Sequence, residues 1–146
     1  MKIEAKGLHY RVLNEKIHRM ISEGAKNLRV THVNGQRYIG CGLQGKMRIT
    51  VEGVAGNDLG AFMDGPTIRV KGNAQDGVAN TMNAGEIIID GNAGDVLGYG
   101  MRGGRVLIRG NVGYRVGIHM KSFGSQQPVM VVGGCARDFL GEYQAG

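Results

Sequence analysis

Hydrophobic residues recur along most of this chain with a constant period of nineteen positions (72 − 53). Gly53, Gly72, Gly91 and Gly110 mark the period, and alternating apolar and variable residues precede each glycine. The run IRVKG at residues 68–72 shows the pattern most plainly. Alternation with β-branched residues predicts a half-buried strand, and the glycine predicts the bend that ends it. Because so short a period without a long helical pattern indicates one unit stacked on itself, we predict an all-β right-handed parallel β-helix.

Three further columns of the repeat are apolar, and we predict that they face the interior together with the strand residues. They are a small column (Ala55, Ala74, Ala93, Val112), a leucine or valine column (Leu59, Val78, Leu97, Val116) and a methionine column (Met63, Met82, Met101, Met120). Methionine is unbranched and adaptable, so such a column can fill space between stacked sheets. Asn73, Asn92 and Asn111 each follow a repeat glycine, which predicts a polar ladder that hydrogen-bonds from coil to coil.

The array extends in both directions beyond these repeats. Residues 40–45 match residues 60–65 at an offset of 20, which predicts an earlier coil. Downstream, VMVVG at residues 129–133 ends in Gly133, which lies four positions beyond one period after Gly110 (23 − 19), so we predict a protruding four-residue insertion within residues 122–128. Residues 139–146 begin another coil. Because an open solenoid end exposes strand edges and apolar side chains, we expect either a shortened chain or a cover from a homo-oligomer or a partner.

Residues 1–30 differ from the repeats and contain little glycine. Leu13, Ile17, Met20 and Ile21 share one helical face, and Gly24 suits a helix C-terminus, which predicts a short amphipathic helix over about residues 13–23. We therefore divide the chain into a helical cap at residues 1–30 and a β-helix at residues 31–146. The helix has two possible roles, capping the first coil or docking onto a partner protein.

Composition and charge narrow the functional classes. The net charge is +6, but residues 1–30 hold seven Lys or Arg and three Glu, whereas residues 31–146 hold eleven basic and nine acidic residues. With basic and acidic residues mixed in the coils and no run of alternating aromatic and basic residues to stack on bases, we expect no nucleic-acid partner. No segment of the sequence is long and apolar enough to span a membrane and none resembles a secretion signal, so we expect no membrane association. Cys41 and Cys135 are far apart in sequence, so we expect reduced thiols in a cytoplasmic protein.

Motifs that suggest chemistry are better explained by the repeat. Residues 98–103 and 40–45 both satisfy GxGxxG, but neither match precedes a predicted helix, as a dinucleotide site requires. Residues 40–47 resemble a P-loop but place Met47 where a hydroxyl should meet Mg²⁺. The four histidines (His9, His18, His32, His119) lie in unrelated contexts, and we expect His119 to point outward. We therefore predict no catalytic, cofactor-binding or metal-binding residues on this chain.

Several segments resemble one known family. They are GNDLGAFMDG at residues 56–65, GNAQDG at 72–77, GNAGDVLG at 91–98, MRGG at 101–104 and FLGEY at 139–143. Together they are similar to the GXGXG domain, the β-helical third domain of the glutamate synthase large subunit, over roughly residues 28–146. In some organisms this domain occurs as a separate polypeptide, and the chain resembles that form or a fragment of it. A related β-helix occurs in one of the subunits of formylmethanofuran dehydrogenase.

The resemblance implies an accessory role in glutamate biosynthesis. In glutamate synthase, ammonia released from glutamine passes to an FMN-bearing domain, where it is combined with 2-oxoglutarate and reduced to glutamate. The catalytic cysteine, FMN and iron–sulfur clusters belong to other domains, so the resemblance implies glutaminase and FMN-binding synthase partners and no cofactor here. The first hypothesis is a non-catalytic subunit that holds these parts together. The alternatives are a subunit of formylmethanofuran dehydrogenase or a related redox complex, and a self-assembling structural module.

Overall fold

The computed structural model describes residues 1–146, which form a seven-stranded parallel sheet and one α-helix. In chain order the elements are β1 (Lys2–Glu4), α1 (Tyr10–Ser22), β2 (Asn27–Asn34), β3 (Arg48–Val54), β4 (Asp64–Lys71), β5 (Ala84–Ile89), β6 (Arg105–Ile108) and β7 (Val129–Val132). Each strand pairs in parallel with the next strand of the chain. From β2 onward turns, with no helix, join successive strands, so the chain winds around and the molecule is a β-solenoid, as the periodicity predicts.

The register of the strands follows the sequence repeat. Ile68 pairs with Ile49 on one side and with Ile87 on the other, and Ile87 pairs with Val106. Each of these steps covers one full period of the sequence, so equivalent residues of consecutive coils lie directly above one another. The predicted coil is therefore confirmed as the unit of the fold.

The insertion before β7 is one residue longer than we predicted. Arg105 pairs with Val129, a step that exceeds the period by five positions (24 − 19), so five residues are added and not four. Accordingly Gly134, and not Gly133, occupies the position that follows Gly110, and its N–H donates to the Gly110 carbonyl at 3.0 Å. The added residues form an exposed turn in which Phe123 and Gln126 exchange backbone hydrogen bonds of 3.0 and 2.9 Å.

The predicted inward columns form one continuous core. The strand, small, leucine or valine and methionine columns are almost fully buried, with Ala93 only partly so. Isoleucine, valine, leucine, methionine and alanine make up this core, and no Phe or Tyr side chain belongs to it. The repeat glycines are required by close approach of the coils. A Cβ atom on Gly53 would overlap the Val33 carbonyl oxygen, and one on Gly72 would overlap the Gly53 carbonyl oxygen.

Helix α1 covers the first coil, and its presence confirms the predicted amphipathic helix. The helix begins at Tyr10, three residues before the predicted start, where the His9 ring nitrogen accepts the Arg11 N–H at 3.3 Å. Leu13 and Ile17 are fully buried against the core. The Asn14 side-chain amide donates to the Arg37 carbonyl at 2.8 Å, which joins the helix to the next loop.

The sheet itself begins before the predicted boundary at residue 30. Strand β1 pairs with β2, and β2 spans Asn27–Asn34, so the boundary falls inside a strand. Helix α1 is an excursion between the first two strands of the solenoid. Whether residues 1–30 and residues 31–146 behave as separate domains stays a prediction.

Candidate functional site

The structure places the four histidines on separate elements. His9 caps α1, His18 lies on the exposed face of α1, and His32 lies in β2 with its ring nitrogen 3.6 Å from the Glu4 carboxylate. His119 lies in a turn and stacks on the Tyr143 ring, with centroids 4.9 Å apart. No group of three or more His, Cys, Asp or Glu side chains is arranged to hold a metal ion.

The two cysteines are free and lie in different coils. Cys41 is half-buried, and this burial, together with the nearby Asp58 charge, raises the pKa of its thiol. A raised pKa disfavours the thiolate, which is the nucleophilic form of cysteine. Cys135 is exposed in the last coil. The Cys41 thiol therefore lacks the environment of an activated nucleophile.

The glycine-rich motifs are turn positions that face other coils. The second and third glycines of residues 98–103 do not open a helix, since β6 follows them. A Cβ atom on Gly98 would lie 2.6 Å from the Met130 methyl group, and one on Gly40 would overlap the Ile68 side chain. Gly42 and Gly100 have φ of 68° and 61°, in the left-handed region that favours glycine. Packing and turn geometry therefore explain these glycines without a nucleotide.

Two polar ladders run along the outside of the solenoid. Asn73, Asn92 and Asn111 each accept, through Oδ1, the backbone N–H of a residue one coil later, and each of these hydrogen bonds is 2.8 Å long. The predicted ladder is thus confirmed, although the amides bond to backbone and not to one another. A second ladder was not predicted from the sequence. Asn57, Asp76 and Asp95 accept backbone N–H groups of the next coil at 3.1, 2.7 and 2.8 Å.

These side chains replace backbone carbonyls as acceptors at the corners of the coil. A shallow depression of about 570 Å³ lies between the two ladders and is lined by residues that include Asn57, Asn73 and Asn92. The Oδ1 atoms of these three residues are already engaged in coil-to-coil hydrogen bonds. The ladders therefore stabilise the stack, and we assign them no ligand.

The last coil is covered on one side only. Leu140 is 61% exposed, whereas Leu97, which occupies the equivalent position two coils earlier, is fully buried. Met130 and Val132 of β7 are partly buried, and a depression of about 980 Å³ is lined by these residues and by Val116, among others.

The backbone of the last coil also offers unused hydrogen-bond donors. In the preceding coil, the N–H groups of Val112, Arg115 and His119 donate to the carbonyls of Cys135, Asp138 and Glu142 at 2.9, 3.0 and 2.9 Å. The equivalent N–H groups of Ala136, Phe139 and Tyr143 donate to no carbonyl of the chain. This face therefore combines apolar side chains with aligned backbone donors.

Positive charge is concentrated at the end that carries α1. Residues 1–48 contain ten Lys or Arg and three Glu, a balance of +7, and residues 49–146 contain eight basic and nine acidic residues, a balance of −1. In the coils, charges of opposite sign pair between strands, as Arg69 does with Asp90 at 3.1 Å and Arg105 with Glu86 at 2.7 Å. The basic end therefore supplies the net charge of the whole chain.

No helix has both the length and the apolar character needed to cross a lipid bilayer.

Comparison with known proteins gives two positive findings. The GXGXG motif family matches residues 10–146. The chain is 57% identical over 147 residues to an uncharacterized protein of Methanocaldococcus jannaschii, an alignment that covers 99% of this chain and 56% of that relative. The chain thus spans little more than half the length of that relative. No solved structure matches.

Proposed function

The chain belongs to the GXGXG motif family, and from this premise we propose that it is a non-catalytic structural subunit or domain of a glutamate synthase-type complex. The family occurs in glutamate synthase large subunits. In this proposal the chain holds a glutaminase polypeptide and an FMN-binding synthase polypeptide together in the cytoplasm. FMN and the iron–sulfur clusters reside on those partners.

The observation that carries the proposal is that one family matches nearly the whole chain. The residues that recur in the repeat pack the interior or join the coils. The strand, methionine and glycine columns build the interior, and the Asn and Asp ladders join the coils. The Cys41 thiol, a potential nucleophile, is half-buried with a raised pKa. A stack of this kind is a stiff spacer. Stiffness suits a part that keeps two active sites at a fixed separation, so that a reactive intermediate such as ammonia is not lost.

Partner contact is supported by the face of the last coil. Its apolar side chains and its N–H groups at Ala136, Phe139 and Tyr143 offer a surface that another polypeptide segment can cover. In the proposed assembly, further coils of the same polypeptide, a partner or a second copy cover it. Covering such an edge also protects it from uncontrolled strand pairing.

The proposal is tested by co-expression of the tagged chain with the glutaminase and FMN-binding synthase polypeptides of the same organism. We expect the three polypeptides to elute together at constant stoichiometry. We also expect the purified single chain to release no ammonia from glutamine and to retain no FMN. Either activity in the single chain would overturn the non-catalytic assignment. Co-purification with subunits of a molybdenum or tungsten enzyme would instead favour the formylmethanofuran dehydrogenase alternative.

A further inference from the structure

The aromatic residues of this protein are concentrated on one edge of the solenoid. The chain has five tyrosines, three phenylalanines and no tryptophan. Phe123 lies in the insertion before β7, and the other seven define what we call the aromatic edge: Tyr10, Tyr38, Phe62, Tyr99, Tyr114, Phe139 and Tyr143. None of them belongs to the buried core.

The backbone explains why these residues share an edge. Two columns of turn residues adopt left-handed conformations, with φ between 53° and 71° in every coil. In every coil except the last, the backbone N–H of each column residue donates to a carbonyl of the next coil. One column contains Tyr38, Asp58, Gly77, Val96, Arg115 and Phe139, and the other contains Gly42, Phe62, Thr81, Gly100, His119 and Tyr143. Tyr99 and Tyr114 are the neighbours of two column residues, and Tyr10 of α1 packs on Tyr38 with ring centroids 5.6 Å apart.

Cationic side chains lie over these rings at both ends of the edge. The Arg37 guanidinium lies 4.7 Å from the Tyr10 ring centroid, at the α1 end. At the other end, Arg115 lies 5.1 Å from the Phe139 ring and Arg137 lies 5.4 Å from the Tyr114 ring. Such contacts hold long side chains in place before binding and so reduce the entropy lost on association.

The composition of the edge is that of a protein–protein interface. Tyr and Arg are enriched at the centres of interfaces and among the residues that dominate binding energy. Six of the seven rings are clearly exposed, from 38% for Tyr38 to 71% for Tyr143. Tyr99, His119 and Tyr143 form one continuous group of rings, with neighbouring centroids 5.5 and 4.9 Å apart. Contiguous exposed apolar surface commonly serves binding, which makes the edge a candidate contact surface.

The charges along the edge indicate which class of macromolecule it contacts. The middle coils carry the carboxylates of Asp58, Asp76 and Asp95, and a shallow groove of about 290 Å³ between the two columns is lined in part by Asp58 and Asp76. Arg37 lies at the α1 end of the edge, and Arg102 donates to the Gly100 and His119 carbonyls at 2.6 and 3.1 Å. The last coil mixes Arg137 with Asp138 and Glu142, so only the α1 end is clearly basic and only the middle coils are mainly acidic. A nucleic acid presents a uniform row of phosphates, which the central carboxylates would repel. A folded protein can present basic groups to the middle coils and acidic groups to the α1 end.

We propose that the aromatic edge is the docking surface for a protein partner, namely a polypeptide of the glutamate synthase-type assembly, whose matching surface is basic where it faces the middle coils and acidic where it faces the α1 end. This inference rests on the proposed function. The rings supply apolar contact area, and the blocks of charge set the orientation of the partner.

Paired variants test the edge against a matched control surface. Tyr99→Ser combined with Tyr114→Ser removes two rings from inner coils. Phe123→Ser combined with Val131→Ser removes two exposed apolar side chains outside the edge, which are 70% and 52% exposed. Arg37→Glu and Arg109→Glu form a second pair, because both arginines are exposed but only Arg37 lies on the edge, at its α1 end. Circular dichroism establishes that each variant is folded.

Binding of each variant to the glutaminase and FMN-binding polypeptides is measured separately by isothermal titration calorimetry. We expect the tyrosine pair to weaken binding to one of them about 30-fold or more, as loss of dominant interface residues does, and the control pair to change it less than about threefold. Arg37→Glu should weaken binding more than Arg109→Glu, with the difference shrinking at high salt.

Other results would overturn the inference. If the wild-type chain binds the polypeptides and the tyrosine pair binds equally well, the edge is not the contact surface while the proposed function stands. If the wild-type chain binds neither polypeptide, the proposed function fails and takes the inference with it. Loss of self-association in the tyrosine pair, seen by light scattering, would assign the edge to a second copy. Edge-dependent binding of single-stranded RNA would assign it to nucleic acid.

Discussion

The two ends of the solenoid differ in how their apolar cross-sections are covered. At one end, α1 buries Leu13 and Ile17 over the first coil. At the other, Leu140 is 61% exposed, and the residues of β7 are at most partly buried. The repeat places the same kinds of side chain inward at both ends. Burial is therefore decided by the neighbour that covers a coil and not by the coil alone.

This difference has an energetic consequence. Each coil contacts only the coils next to it, so stability is the sum of coil interfaces. An inner residue such as Leu97 contributes to two interfaces, whereas Leu140 contributes to one. The same side chain should therefore matter much more in the middle of the stack than in the last coil.

The largest expected effect compares Leu97→Ala with Leu140→Ala. Leu97 is fully buried, so its truncation should lower the free energy of unfolding by about 2–5 kcal/mol. Leu140 is mostly exposed, and its truncation should change that free energy by less than about 0.5 kcal/mol. Urea unfolding followed by circular dichroism measures both. Equal losses for the two variants would contradict the assignment of burial to neighbouring coils.

A somewhat smaller loss of unfolding free energy is expected for a substitution in α1, which covers the first coil. Ile17→Ala removes a fully buried side chain from the helix and should cost about 2–3 kcal/mol of unfolding free energy. Val12→Ala, on the exposed side of the same helix, serves as the control and should be nearly neutral. If Ile17→Ala were as mild as Val12→Ala, the helix would not be a structural cap.

The polar ladders give the next effect in size. Asn92 Oδ1 accepts the Asn111 N–H at 2.8 Å, so Asn92→Ala should cost about 1 kcal/mol by removing that acceptor. Asn92→Asp keeps an acceptor in the same place and should retain most of the stability. Thermal unfolding of the three proteins compares them, and a loss in Asn92→Asp as large as in Asn92→Ala would argue against the hydrogen bond as the cause.

The smallest effect concerns pH. The Arg29 guanidinium donates two hydrogen bonds to the Glu52 carboxylate, at 2.7 and 3.1 Å, and these lower the pKa of Glu52. A pKa lower in the folded than in the unfolded state contributes stability above the unfolded value, and that contribution is lost as the pH falls through the folded value.

The Glu52→Gln variant should therefore lose less stability on acidification than the wild type. We expect the difference between the two proteins to be smaller than the loss caused by Asn92→Ala, because Arg29 is largely exposed. Glu142→Gln, in the last coil and without an ion pair, is the control. Unfolding curves recorded across the acid range provide the measurement. Identical acid sensitivity in Glu52→Gln and the wild type would show that the ion pair does not contribute.

Much of the fold follows from the repeat, because a column that must be apolar in every coil leaves a periodic trace. The recurrence of Ile49, Ile68 and Ile87 predicts their alignment directly. The length of the insertion was predicted wrongly because Gly133 and Gly134 are adjacent, and only the strand pairing of β6 with β7 shows which glycine continues the column. The earlier start of α1 depends on a cap by His9, a residue type that is not among the preferred helix caps.

The aromatic edge was missed for a different reason. Neighbouring aromatic and basic residues occur in the sequence only as isolated pairs, such as Arg37–Tyr38 and Tyr114–Arg115, which lie far apart along the chain. Stacking of the coils brings such pairs onto one edge, as it brings Arg115 over Phe139 from one coil later. The left-handed turn columns also vary in residue type, since they include Val96 and His119, so the edge leaves no column of constant residue type in the repeat.

The most direct test of the central claim, that the chain holds two active sites together, is glutamate synthesis by the separate polypeptides with and without it. With glutamine as nitrogen donor, we predict that adding the chain raises the rate strongly. With free ammonia as donor, the chain should have little effect on the rate. Equal rates from glutamine with and without the chain, in a mixture where all polypeptides are folded and loaded with their cofactors, would contradict the account.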